Sequence, residues 1–123
     1  MKLYHGSPKK LKIIKPQKAK GINKFQNQKA IFLTKSFKQE ALFALGKSLK
    51  GKTSLYLPPG RLIIKGKYKP KEKAYVYEVN VNAIKGDLGN YEYAYKKPIN
   101  KFMIHLVKLR HYKKYIKTIN NLK

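Results

Sequence analysis

The sequence predicts a single α+β domain, with one main helix among six or so short strands. A chain of 123 residues is long enough for one hydrophobic core and too short for two. One segment combines helical spacing of apolar residues with a capping signal, whereas the other apolar segments are short, β-branched and aromatic. Strands and helices do not alternate as a βαβ protein requires, and no internal repeat is visible. We therefore expect residues 1–123 to form one α+β domain.

One helix is predicted to follow Ser36. Serine is a preferred N-cap residue, and Gln39 stands three positions later, as in a capping box. The apolar residues that follow recur at helical spacing up to Gly46, and glycine commonly ends a helix.

The strands are predicted from short apolar runs bounded by glycine, proline or asparagine. The strongest is 74–81, which is β-branched and aromatic. The predicted strands are residues 2–5, 30–34, 54–57, 61–66, 74–81, 91–95 and 101–109. Residues 15–29 are predicted as a polar, basic loop, residues 86–90 as a turn, and residues 110–123 as a basic tail with some helical character.

Composition excludes several classes of protein. The chain is 42% hydrophobic, too much for a disordered tail, and it has no cysteine for a disulfide scaffold or a thiolate metal site. Its start lacks the apolar core of a signal peptide, and no segment approaches the ~20 apolar residues of a membrane span. We expect a soluble, cytoplasmic protein without a membrane partner, and its oligomeric state is not indicated.

The net charge is +25, from 30 lysines and arginines against 5 acidic residues. Such self-repulsion is costly unless a polyanion neutralises it, which favours a nucleic acid as partner or acceptor. The alternative is a general lysine bias that fills solvated positions. Arg61 and Arg110 are the only arginines, whereas nucleic-acid-binding proteins often use the planar fork of arginine to grip phosphate and guanine. Both interpretations stay open.

Two simpler kinds of site are disfavoured. Residues 46–53 match the pattern G-x-x-x-x-G-K-[ST], but a phosphate-binding loop needs a strand before it and a helix after it. Here the helix precedes, so we interpret the match as chance in a chain rich in lysine and glycine. His5, His105 and His111 are spread along the chain without acidic ligands at a suitable spacing, so no metal site is predicted.

Four short motifs resemble a known family. They are Tyr4-His5-Gly6-Ser7, residues 30–34 around Phe32, residues 41–43 ending in Phe43, and residues 91–95 around Glu92. In order and spacing they resemble the motifs of the diphtheria-toxin-like and poly(ADP-ribose)-polymerase-like ADP-ribosyltransferases. Together the motifs span residues 3 to about 109, nearly the whole chain. The family has a His-Tyr-Glu triad, and here Phe32 stands at its middle position.

The resemblance implies a split antiparallel sheet that binds NAD as a co-substrate. His5 would hydrogen-bond a ribose hydroxyl of NAD, the Gly6 backbone would pair with the nicotinamide amide, and Ser7 would assist. Phe32 and Phe43 would stack on the two sides of the nicotinamide ring. His5, Phe32 and Phe43 also have purely structural interpretations. His5 would be a histidine hydrogen-bonded by the backbone, and Phe32 and Phe43 would be residues of the hydrophobic core.

Glu92 is implied as the catalytic carboxylate, acting with His5. It would hold the 2′-hydroxyl of the nicotinamide ribose and stabilise the oxocarbenium-like state as nicotinamide leaves. Asn90 stands where arginine-modifying toxins carry Glu or Gln, so transfer to arginine is disfavoured. The alternative interpretation of Glu92 is a surface carboxylate paired with lysines.

The predicted function is NAD-dependent ADP-ribosyl transfer with release of nicotinamide, with a nucleic acid as the favoured acceptor. One alternative is an enzyme resembling the NAD-dependent RNA 2′-phosphotransferases, which needs a cluster of arginines. The other is a non-catalytic basic protein whose aromatic residues stack on nucleic-acid bases. The enzyme hypothesis requires His5 and Glu92 on neighbouring strands, facing one cleft within roughly 15 Å. It also expects residues 15–29 and 47–53 to form a positive rim beside that cleft.

Overall fold

The computed structural model describes residues 1–18, 29–46, 53–56, 61–66, 72–85 and 92–119. Its strands are β1 (Lys2–Ser7), β2 (Gln17–Lys18), β3 (Lys29–Thr34), β4 (Thr53–Tyr56), β5 (Arg61–Lys65), β6 (Lys73–Asn80), β7 (Ile84–Lys85), β8 (Glu92–Tyr95), β9 (Met103–Lys108) and β10 (Ile116–Ile119). The helix α1 spans Phe37–Gly46, and two 3₁₀ turns, Leu109–His111 and Lys113–Tyr115, connect β9 to β10. The fold is α+β, as predicted. None of the helices described here is long and apolar enough to cross a membrane.

The larger sheet has the strand order β7-β8-β3-β1-β6-β9, with β2 paired to β3 outside this path. All of its pairs are antiparallel. β1 pairs with β6 along its whole length, but its registered pairing with β3 is a single pair, Tyr4 with Thr34. The sheet is therefore closely joined on one side of β1 and barely joined on the other. A smaller sheet has the order β10-β5-β4.

Helix α1 lies between the two sheets. A buried cluster joins it to β6 and β9, and its members are Ala41, Ala44, Leu45, Ala74, Val76 and Val107. On the side facing the smaller sheet, Leu42 packs against Leu62 and Ile64 of β5. Because each fully buried leucine contributes roughly 2 kcal/mol by leaving water, α1 is held firmly by both sheets.

The opposite face of the larger sheet carries a second core. Its buried members are Leu3, Ile14, Ile31, Leu33, Tyr77, Val79, Tyr93 and Ile99. Within β1, β3, β6 and β8 these residues alternate with those that face α1, as the period of two in a strand requires.

The predicted cap of α1 is confirmed. The Ser36 hydroxyl oxygen accepts a hydrogen bond from the Gln39 N–H at 3.1 Å. Two residues before Ser36, at the end of β3, the Thr34 hydroxyl donates to the Ser36 carbonyl at 3.2 Å and accepts from the Ser36 N–H at 3.3 Å. These bonds fix the direction in which the chain leaves β3 and enters α1.

Three predictions of secondary structure need correction. β1 continues through Gly6 and Ser7, because both residues pair with β6. Gln17–Lys18, expected in a loop, pairs with β3. Part of the tail is a strand and not a helix, since Ile116–Ile119 runs parallel to β5. Each is a pairing between distant segments, which local sequence does not reveal. The predicted turn at 86–90 and most of the loop and linker predicted at 15–29 and 47–53 lie outside the described residues.

Tyr77 fixes the segment that follows β1. Its hydroxyl donates to the Lys9 carbonyl at 2.8 Å and accepts from the Leu11 N–H at 2.6 Å. The side chain is fully buried, and burial raises the pKa of Tyr77 above its usual value because the phenolate would be poorly solvated. The neutral hydroxyl therefore stays available to tie β6 to residues 9–11.

Tyr77→Phe is expected to lower the free energy of unfolding by about 2 kcal/mol, because it leaves two backbone groups without their partner. Tyr75→Phe is the matched control, since Tyr75 is half-buried on the same strand and loss of its hydroxyl should cost less. Urea denaturation followed by far-UV circular dichroism measures both. Equal losses in the two variants would contradict the anchoring role of Tyr77.

Candidate active site

Three neighbouring strands carry the residues that the sequence singled out. His5 and Gly6 lie on β1, Phe32 on β3 and Glu92 on β8, in the strand order β8-β3-β1. β1 and β8 were expected to be direct neighbours, and this is corrected because β3 lies between them. Two strand spacings separate the backbones of His5 and Glu92 by about 10 Å.

The side chains of His5 and Glu92 start from opposite faces of the sheet. Tyr4, Thr34 and Glu92 lie in one row across β1, β3 and β8, so their side chains share a face. The Tyr4 ring contacts Phe37 of α1, with ring centroids 5.5 Å apart, so this is the face covered by α1. His5 follows Tyr4 and starts from the other face, where its ring centroid lies 6.5 Å from that of Tyr77. The expectation of one shared cleft on a single face is therefore corrected.

The His5 ring reaches the gap where β1 and β3 part. Its Nδ1 lies 2.9 Å from the Phe32 carbonyl oxygen. Because a carbonyl oxygen can only accept, Nδ1 carries the proton in this contact. Nε2 is then the acceptor nitrogen of the neutral ring, and it is the atom that could accept a hydrogen bond from a hydroxyl.

The Gly6 N–H is hydrogen-bonded by a residue that the sequence did not single out. Glu40 of α1 accepts this hydrogen bond through Oε1 at 2.9 Å. Glu40 is buried, with 7% of its surface exposed. It lies in the first turn of α1, where the helix dipole favours a negative charge. The available signal was one of the five acids of the chain, placed directly before the apolar run at 41–45.

The ladder between β1 and β3 stops beyond the Tyr4–Thr34 pair. We call this place the β1–β3 seam. Continuing that register sets Gly6 opposite Phe32. The Gly6 N–H bonds the Glu40 side chain, and the Phe32 carbonyl bonds the His5 side chain. A backbone donor and a backbone acceptor thus face the seam, each satisfied by an ionisable side chain.

The need for glycine at position 6 has a packing explanation. A Cβ on Gly6 would collide with the Glu40 carbonyl oxygen and lie 3.1 Å from the Ala44 Cβ. The backbone of α1 therefore rests directly on β1, and only glycine allows this approach. The sequence suggested a glycine that lets a ligand come close. The structure shows a glycine that lets a helix come close.

The remaining predicted site residues differ in placement. Phe32 is half-buried and shares the α1 face with Glu92, which is diagonal to it across β3 and β8. Phe43 is 44% exposed on α1, one turn from Glu40, so it is not a core residue. Ser7 is buried, and its hydroxyl oxygen accepts from the Lys9 N–H at 3.2 Å, a local bond at the end of β1.

The described residues also bear on the metal site and the phosphate-binding loop that the sequence disfavours. No group of three or more potential metal ligands is found among those residues. Most of the phosphate-loop pattern at 46–53 lies outside the described residues; α1 ends at its first residue and β4 begins at its last, the reverse of the order that such a loop needs. Comparison with protein-family models, curated proteins and solved structures finds no match to this chain.

Gly6→Ala is expected to lower the free energy of unfolding by about 3 kcal/mol, because the added methyl meets backbone that cannot turn away. Gly46→Ala, at the last residue of α1, is the matched control. Its Cβ would lie 2.9 Å from Cδ2 of Leu62, the end of a flexible side chain, and should cost less than about 1 kcal/mol. Urea denaturation measures both, and equal costs would show that α1 does not rest tightly on β1.

Proposed function

We propose that this protein is an NAD-dependent ADP-ribosyltransferase that releases nicotinamide. The observation that carries the proposal is the β1–β3 seam. It brings the Gly6 N–H donor and the Phe32 carbonyl acceptor together with His5. Three of the four motifs that resemble this enzyme family thus lie on the consecutive strands β8, β3 and β1, and the fourth lies on α1, although 85 residues separate His5 from the segment at 91–95.

A carboxamide is complementary to the seam. Its carbonyl oxygen can accept from the Gly6 N–H, and its NH₂ group can donate to a backbone carbonyl such as that of Phe32. Nicotinamide presents this group on a flat aromatic ring, which suits stacking on the half-buried Phe32. The exposed Phe43 on α1 is the second aromatic residue near this region.

The Glu40 carboxylate has to move aside when a carboxamide binds the Gly6 N–H. The exchange is favourable only if the ligand oxygen replaces the lost acceptor, because an unsatisfied buried donor costs about 1–3 kcal/mol. In this proposal, Glu40 protects the Gly6 N–H in the empty protein and gives way to NAD.

The chemical step is cleavage of the bond between the ribose C1′ and the nicotinamide nitrogen. The bonding electrons pass to the pyridinium ring, neutral nicotinamide leaves, and positive charge develops at C1′ and the ring oxygen of the ribose. Glu92 shares a face with Phe32, and its carboxylate would stabilise that charge. A nucleophile of the acceptor then bonds C1′ and loses its proton. The net charge of +25 favours a nucleic acid as acceptor.

Glu92→Gln is expected to reduce nicotinamide release from NAD by about 10²–10³-fold, because the amide keeps the shape of the side chain but lacks its charge. Binding of NAD should change little, since the seam stays intact. The assay follows nicotinamide by chromatography with and without single-stranded RNA, and calorimetry measures NAD binding.

Glu72→Gln is the control. It removes the same charge from an exposed position at the start of β6, and it should leave nicotinamide release unchanged. A wild-type protein that neither binds nor cleaves NAD would contradict the proposed function and favour the non-catalytic nucleic-acid-binding protein. Equal activity in wild type and Glu92→Gln would show that Glu92 takes no part in the chemical step.

A further inference from the structure

The outer strand β9 exposes large apolar side chains. β9 ends the larger sheet beside β6 in the described part of the chain. Met103 is 60% exposed, Ile104 40% and Leu106 51%. Edge strands are usually protected by charge, proline or a bulge, because their outward N–H and C=O groups can pair with another strand. Between Met103 and Leu106, β9 has no lysine, acid or proline. Three of these four residues are apolar and exposed, and His105 is half-buried.

The apolar side chains of β9 lie on both faces of the sheet. Met103 is opposite Glu78 of β6, whereas Ile104 and Leu106 are opposite Tyr77 and Tyr75. The sheet alternation therefore puts Met103 on the α1 face and the other two on the opposite face. A strand added along β9 would cover apolar surface on both of its sides.

Basic residues surround this edge. Lys101 precedes β9, Lys108 ends it, Lys73 is paired with Lys108, and Arg110 follows; all four are exposed. Two acids lie nearby. Glu72 is exposed at the start of β6, while Glu78 is engaged by Lys2 at 3.7 Å and by His105 at 3.1 Å. The balance of charge around the edge is positive.

We propose that β9 is a docking edge for an extended acidic segment of a partner protein, which adds as a further strand to the larger sheet. The main chain of the partner would pair with the outward groups of β9, and its alternate apolar side chains would cover either Met103 on the α1 face or Ile104 and Leu106 on the opposite face. Its acidic side chains would lie among the lysines at the two ends of the strand. This surface is independent of the β1–β3 seam.

The chemistry of β9 distinguishes this occupant from two others. A second copy of the chain would bring its own charge of +25 to the same edge, and like charges oppose that contact. A nucleic acid would be attracted by the lysines, but it cannot continue a β-ladder. An acidic peptide strand satisfies the backbone, the apolar residues and the charge together.

The test measures binding of a fluorescein-labelled peptide of eight alternating valines and glutamates to the whole protein by fluorescence anisotropy. A second peptide has the same sequence with four consecutive N-methylated residues, which removes two N–H donors from each of its edges and interrupts the ladder with β9. The protein variant combines Met103→Thr and Leu106→Thr, which keep strand propensity and remove apolar surface. Ile119→Thr is the matched control, at a residue 45% exposed on β10 of the other sheet.

The double threonine variant and the N-methylated peptide are each expected to raise the dissociation constant at least about tenfold. Ile119→Thr should leave the constant unchanged. Equal affinity for the two peptides would show that charge alone drives binding and would overturn the proposal. So would equal affinity of the wild type and a folded double variant. A concentration-dependent dimer in sedimentation that the double variant abolishes would assign the edge to a second copy instead. The N-methylated peptide keeps the proposal falsifiable even if the variant does not fold.

Discussion

The structure depends on the way β1 separates from β3 while remaining joined to β6. Beyond the single Tyr4–Thr34 pair, backbone groups that face the seam take side-chain partners, Glu40 for the Gly6 N–H and His5 for the Phe32 carbonyl. Buried backbone groups have to be hydrogen-bonded, so a break in a central sheet persists only where such partners exist. The two side chains that stabilise the break are also the ones whose chemistry makes it a candidate site.

Helix α1 is the second part of this arrangement. It enters directly from β3 through the Thr34 and Ser36 bonds, rests its backbone on Gly6, and delivers Glu40 to the seam. Leu42 ties its other side to the smaller sheet. A displacement of α1 would therefore change the seam, the cap and the contact between sheets together. This coupling gives Gly6 and Glu40 structural roles that do not depend on any ligand.

Local signals in the sequence were sufficient for much of the fold. The Ser36 cap with Gln39 predicted where α1 begins, and the β-branched run at 74–81 predicted β6. What failed was pairing between distant segments. No local feature indicates that β3 lies between β1 and β8, or that Ile116–Ile119 completes the smaller sheet. In the site, the motifs singled out His5, Gly6, Phe32 and Glu92. Glu40 was missed because a single acid in a helix usually lies in solvent.

Binding of nicotinamide at the β1–β3 seam is tested most directly by a titration of ¹⁵N-labelled protein with NAD, followed by the amide resonance of Gly6. We expect a saturable shift of this resonance as NAD takes the place of Glu40 at its N–H. Gly66 is the internal reference, because its N–H donates to the Ile119 carbonyl at 2.8 Å in the smaller sheet, and its resonance should not move. An unmoved Gly6 resonance at saturating NAD would contradict the claim that the β1–β3 seam binds nicotinamide.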